Sequence, residues 1–412
     1  MPLEKHNRKT VLRPSKPLFL HPLALFTAVW GSIVFLYSLH LSRLLIFSNP
    51  QVLHAVFWIY IPFFLTISVA ATFRTLAPQN SPLPSRNISI PVDSIHRQLT
   101  RWFIFWVIAT IAEVIISGGV PILWLIEGSS KTYFDFGIPS IHGLLNSLIL
   151  TLGLAEFALF VITGAKRHLW IPAWLMVWPV IVVTRNMMIV FLIEAAVLWI
   201  YIKGMRWQTF LKLAASTALV ILIFGYIGDF RSGAATFRKL ALPASTYPTW
   251  LPSGVLWVYI YMTTPLGNLI NTARLSTPLH NYLLPNTTSL LFPSVLRNII
   301  YGSAAQASQA FSGTLISQAF NVSTAFIGPF QDFGWPGVAG LSIFLGLVAE
   351  FCWHRRGMKG ALIYAVIAQC VILTLFFNHL FYLPVITQVV WIIFFFRKST
   401  RQVKSDATEP PL

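Results

Sequence analysis

Apolar positions along this chain gather into long runs, separated by short segments rich in Lys and Arg. A helix needs about 20 apolar residues to cross a bilayer. Ten runs reach or approach that length: Leu18–Phe47, Leu53–Phe73, Trp102–Ile126, Gly143–Gly164, Leu169–Thr184, Met187–Ile202, Leu211–Ile227, Trp335–Trp353, Ala361–Phe377 and Leu383–Phe396. The fifth and the last are short. Gly118, Gly119 and Pro121 predict a bend near the end of the third. Residues 229–334 break the rhythm. Within them Val255–Ile270 is apolar but interrupted by Thr263, Thr264, Pro265, Gly267 and Asn268. That mixture predicts a re-entrant segment over 255–270, or one lying on the bilayer surface, with its backbone satisfied by protein or a wet cavity. Pro243, Pro248 and Pro252 break any long helix upstream, and the small residues of Ala304–Phe320 predict a helix packed on the membrane core. Neither an internal repeat nor a separate soluble domain is visible. Residues 1–412 read as a single integral membrane domain, an all-α polytopic bundle of about 10–12 spans with one large loop region at 229–334.

Composition supports that reading. The chain is 56 % hydrophobic and only 10 % charged, against about 25 % charged in soluble domains. A net charge of +17 would suggest nucleic acid in a soluble protein. Here the basic residues flank apolar runs, so they report membrane orientation, and no nucleic-acid partner is expected. Cys352 and Cys370 lie inside apolar runs and form no disulfide framework. The first run is about twice a signal-peptide core and lacks a small-residue cleavage site, so it is expected to be retained.

Cytoplasmic connections carry the excess of Lys and Arg. With the N-terminus inside, 21 of the 29 basic residues fall in alternate connections on that side, together with both termini. Arg43, Lys131, Arg185, Arg231, Arg238, Lys239, Arg274 and Arg297 are left outside, most of them within 229–334. These stranded cations need another reason to be there. Arg presents planar, permanently charged donors suited to phosphate. Arg231 and Arg238 are seven apart and would share a face of one helix. Ordinary lipid phosphates, or Asp229 and Asp332, are the alternative partners. Arg185 stands between two apolar runs with almost no loop, which predicts a polar cavity or an anion beside it.

Four carboxylates, Glu113, Glu156, Glu194 and Glu350, lie inside apolar runs. Such groups mark function or are satisfied by donors on neighbouring helices, and both readings stay open. His142 opens the fourth run, with Asn146 four residues on and on the same face. It is either a packing residue or a base for a hydroxyl. The preceding Gly137–Ile141 shapes an approach to a helix N-terminus, which favours an anion. Walker, dinucleotide, HExxH and Cys/His metal patterns are all missing, so no nucleotide, metal or other cofactor is expected.

Gly137–Leu148 (GIPSIHGLLNSL), Gly228-Asp229-Phe230-Arg231 and Tyr259–Asn268 (YIYMTTPLGN) resemble the oligosaccharide repeat-unit polymerases, the Wzy-type O-antigen polymerases of bacterial inner membranes. The resemblance covers roughly residues 100–340. It implies a GT-C-like bundle, as in O-antigen ligases and SEDS peptidoglycan polymerases. It also implies transfer of a glycan from undecaprenyl pyrophosphate to another lipid-linked repeat unit, on the periplasmic face and without a metal. The substrate partner is then an undecaprenyl-pyrophosphate-linked oligosaccharide amid membrane lipids, with a chain-length regulator and a flippase as protein partners. In that family the outside arginines engage the pyrophosphate. Arg231 matches that position best, and Arg185 resembles the family's isolated mid-chain Arg, though Asn186 and Met187 stand where small residues are usual. The expected catalytic set is Arg231, His142, Asp229 and Arg185, and the expected substrate-binding set is Arg238, Arg274, Tyr259, Asn268 and Asn146. A ligase using the same donor, or a transporter or flippase built on the intramembrane carboxylates, are the alternatives.

Overall fold

The computed structural model describes residues 10–11, 15–76, 89–248, 250–302 and 313–397. Its helices are α1 (Pro22–Ser38), α2 (Asn49–Leu76), α3 (Val92–Ser117), α4 (Pro121–Ile126), α5 (Ile141–Thr163), α6 (Trp170–Ile181), α7 (Arg185–Lys203) and α8 (Trp207–Ser232). They continue with α9 (Ala234–Ala241), α10 (Ser253–Leu275), α11 (Pro285–Thr288), α12 (Ser294–Tyr301), α13 (Ile327–Phe333), α14 (Trp335–Trp353), α15 (Gly357–Ile372) and α16 (Leu383–Phe395). A 3₁₀ turn, Lys166–Leu169, precedes α6, and Thr10–Val11 pairs antiparallel with Ser89–Ile90. The chain is thus an all-α membrane helical bundle. Among the described residues six helices are long and apolar enough to cross a membrane, α2, α3 with α4, α5, α7, α13 with α14, and α15 with the turn after it. The shorter α1 and α16 are apolar as well.

Punctuation sets these elements. Pro22, Pro121, Pro336 and Pro384 occupy first-turn positions, where the missing N–H costs nothing. Gly118 closes α3 in the left-handed region (φ 73°) and forms the expected bend before α4. Burial then sorts centre from rim. The apolar window of α15 is 89 % buried and that of α5 78 %, against 28 % for α2 and 22 % for α3. On α3 the exposed Ile104, Ile108, Ile111 and Ile115 recur at helical spacing, while Leu99, Phe103, Trp106 and Thr110 are buried. Such a stripe meets lipid tails rather than water.

The connections assigned to one membrane side meet at one end of the bundle. Lys16 Nζ donates to Trp353 O at 2.8 Å, and Lys16 N to Tyr201 O at 3.2 Å. Arg74 Nη1 lies 2.5 Å from Glu350 Oε1, and Arg167 Nη2 2.6 Å from Asp93 Oδ1. Phe157 and Phe160 against Trp199 place the C-terminal ends of α5 and α7 together. This is the basic end of the bundle.

Two expectations change. The interrupted segment 255–270 lies within one continuous 23-residue helix, α10. Its hydroxyls bond back one turn, Thr263 to Tyr259 O, Thr264 to Ile260 O and Thr272 to Asn268 O, so the polar positions do not break it. Tyr259 Oη accepts from Leu41 N, Gly267 packs beside Tyr37, and Arg274 sits over Phe47. α10 therefore lies across the end of α1 remote from the basic end. The small-residue helix expected over 304–320 is not helical at 313–320, and residues 303–312 lie outside the described residues. Side chains of α10 satisfy that loop instead. Asn268 Nδ2 donates to Phe320 O and Val322 O at 3.0 and 2.8 Å, and Asn268 Oδ1 accepts from Ile316 N at 2.9 Å. Leaving buried polar groups unpaired costs about 1–3 kcal/mol each. Asn268→Leu is expected to destabilise the protein by about 3 kcal/mol or more, read as a lower unfolding midpoint in detergent.

Candidate functional site

Two groups of side chains stand at the end away from the basic end. The first joins α3 to α5. Glu113, near the C-terminus of α3, accepts from Ile138 N at 3.1 Å and lies 3.1 Å from His142 Nδ1. Ser117 Oγ accepts from Gly137 N at 2.9 Å. The Phe136 ring meets the imidazole edge-on at 5.2 Å. Gly137 has φ +88°, and a Cβ there would lie 2.7 Å from the His142 ring. Only glycine fits both the backbone and the space. The hydrogen bond to a carboxylate assigns the Nδ1 proton and leaves Nε2 as an acceptor. His142 is 22 % exposed and Glu113 2 %, so the ring has an open edge and a buried partner. Asn146 follows one turn later, partly exposed. Glu113 thus sets a carboxylate beside this helix start, on Ile138 N and His142 Nδ1.

The second group surrounds residues 39–48, a strap between α1 and α2. Ser42 bridges to Pro243, Arg43 N donates to Leu242 O at 2.8 Å, and Ser42 Oγ donates to Ala241 O at 2.6 Å. This pairing brings α9 beside the strap. Arg43, Arg238 and Lys239 are exposed there. Arg274, also exposed, holds its guanidinium 5.6 Å from the Phe47 ring. Burial raises the pKa of the Tyr247 hydroxyl, and the nearby Arg238 opposes that rise. Among the described residues, none of Arg43, Arg238, Lys239 and Arg274 pairs with a carboxylate. Unpaired cations on one surface form an anion-attracting patch.

The remaining site residues fall out differently. Asp229 and Arg231 occupy the last turn of α8, and their side chains lie outside the described residues. Gly233 (φ 77°) separates α8 from α9. Arg231 and Arg238 therefore sit on different helices, not on one face. Arg185 is exposed at the first position of α7. Tyr259 and Asn268 are buried and spend their polar atoms holding the strap and the 313–322 loop. Both serve here as buried hydrogen-bonding positions within the protein.

Each intramembrane carboxylate has a partner. Glu156 lies between His96 and His168, Glu194 accepts from Gln388 at 2.8 Å, and Glu350 faces Arg74, His354 and His21. Asp332 accepts four bonds from Asn286 and Thr287. Nearby, burial pushes the His379 imidazole down to about 4, so it is neutral. A cavity of about 20 Å³ lined by Asn286, Thr287, Thr324 and Asn378 has room for a water, not a sugar. No family model, curated protein or solved structure matches this chain.

Proposed function

We propose that this chain is a glycan polymerase of the bacterial inner membrane, moving an oligosaccharide from undecaprenyl pyrophosphate onto another lipid-linked repeat unit. The unpaired cations around the strap carry this reading. They gather at the end of the bundle opposite the basic end, where the orientation rule leaves them without a topological reason. On this reading that face is periplasmic and both termini are cytoplasmic.

The chemistry follows from the groups at hand. The acceptor hydroxyl oxygen attacks the anomeric carbon. A glycosidic bond forms while the bond from that carbon to the pyrophosphate oxygen breaks. His142 Nε2 takes the hydroxyl proton, and Glu113 holds the ring through Nδ1 and stabilises the imidazolium that results. Arg231, Arg238 and Arg274 meet the charge that develops on the departing undecaprenyl pyrophosphate. The sugar–phosphate bond supplies the driving force, so a nucleotide is not needed.

A ligase would use the same donor. Transport has less support, because the four intramembrane carboxylates are tied into separate pairings. The decisive experiment incubates purified protein with lipid-linked repeat unit alone. A ladder of products on a gel is the expected result; a donor that is consumed only when lipid A core is added identifies a ligase. Within the same assay Gly137→Ala is expected to lower turnover at least about tenfold, since strain of roughly 1–3 kcal/mol and a displaced ring act together. Unchanged turnover would separate His142 from the chemistry.

A further inference from the structure

We propose that His96, Glu156 and His168 form a binding site for a divalent first-row transition ion, zinc foremost, at the basic end of the bundle. Three elements converge there: α3 brings His96, α5 brings Glu156, and the 3₁₀ turn brings His168. His96 Nδ1 lies 2.7 Å from Glu156 Oε1, and His168 Nδ1 2.7 Å from Glu156 Oε2. The donor atoms of all three residues lie within 4.8 Å of one another. The rings stand nearly perpendicular, with centroids 4.8 Å apart. Glu156 and His168 are 0 % exposed and His96 is 21 % exposed. Two imidazoles and one carboxylate are a ligand set of zinc and its neighbours, and three protein ligands leave a fourth position for water.

Ligand bonds of about 2.0–2.1 Å in a tetrahedron put donor atoms about 3.3 Å apart. The 2.7 Å contacts therefore open, and the wider separations within the group close, when the ion enters. In each histidine the proton then moves from Nδ1 to Nε2, because the ion takes the Nδ1 lone pair. One neighbour resists this. Arg167 Nε points at His168 Nε2 across 3.4 Å, and both atoms would become donors. Arg167 already holds Asp93 at 2.6 Å, with both side chains about half exposed, so it can turn outward at small cost. The guanidinium thus competes with the ion, which ties the site to a surface ion pair.

The site is independent of the polymerase reading, and its test does not use polymer formation. Tag-free, chelator-stripped protein is dialysed against Zn²⁺, and the bound metal is counted. One ion per chain is expected, with a higher unfolding temperature. Co²⁺ in its place is expected to give visible ligand-field absorption. Glu156→Gln and His96→Ala are expected to weaken uptake at least tenfold, and Arg167→Gln to tighten it, since glutamine offers an acceptor to the Nε2 proton. The proposal is overturned by wild-type protein that takes up neither ion, or by uptake that Glu156→Gln and His96→Ala leave unchanged. The wild-type measurement decides the matter even where a variant fails to fold.

Discussion

His142→Ala is expected to lower polymer formation from lipid-linked repeat units by about 100- to 10,000-fold, the contribution of a positioned acid–base group. The ring is held on one side by the buried Glu113 carboxylate and open on the other. A structural role for His142 would move stability and turnover together. A catalytic role moves turnover while elution and unfolding temperature stay as in the unaltered protein. Glu113→Gln sharpens the distinction. It keeps one of the two acceptor oxygens, which can serve the His142 ring while the bond from Ile138 N is lost, and it removes the charge that favours the imidazolium. Its expected loss is smaller, about tenfold, and falls on kcat rather than KM. Equal turnover in His142→Ala and the unaltered chain defeats the assignment of the base.

Arg231→Ala is expected to abolish long-chain polymer in cells while the protein level is unchanged. Arg238→Ala and Arg274→Ala are each expected to lower turnover by about 100- to 1,000-fold, the usual loss when one preorganised donor to a developing anion is removed. Arg274 lies over the Phe47 ring and Arg238 is close to Tyr247, and both are exposed to an arriving anion. Lysine at either position retains charge but not the planar fork, and recovers only part of the activity. Normal chain length in Arg231→Ala removes the leaving-group assignment. Activity that falls as salt rises is expected throughout, because these cations are exposed.

The bundle was legible because its signals are local. Apolar runs, first-turn prolines and the Gly118 bend each act over a few residues, and the helices follow them. The charge alternation was equally readable, and its basic connections do meet in space. What escaped was long-range pairing. Glu113 and His142 each stand out in the sequence, but nothing along the chain says that residues 29 apart touch. No sequence pattern links His96 to His168, since their meeting point, Glu156, lies 60 residues from one and 12 from the other. The polar interruptions in α10 misled for a different reason. Threonines inside a helix can bond to their own preceding turn, so a composition that looks like broken backbone becomes a buried helix that organises its neighbours.

α1 is short, and this matters for the lipid-borne donor of the proposed reaction. Its 17 residues reach about 25 Å, and the 3₁₀ turn Leu18–Leu20 before it adds about 6 Å, so together they only just match a hydrocarbon layer of about 30 Å. The strap beyond Ser38 then begins at the interface with no helix to spare. On the polymerase reading Arg43 and Arg274 lie at headgroup level, where a diphosphate could slide in sideways with its polyprenol still among the acyl chains. A thicker membrane would draw the strap below the interface and hinder that approach, so turnover in vesicles should fall as acyl chain length rises.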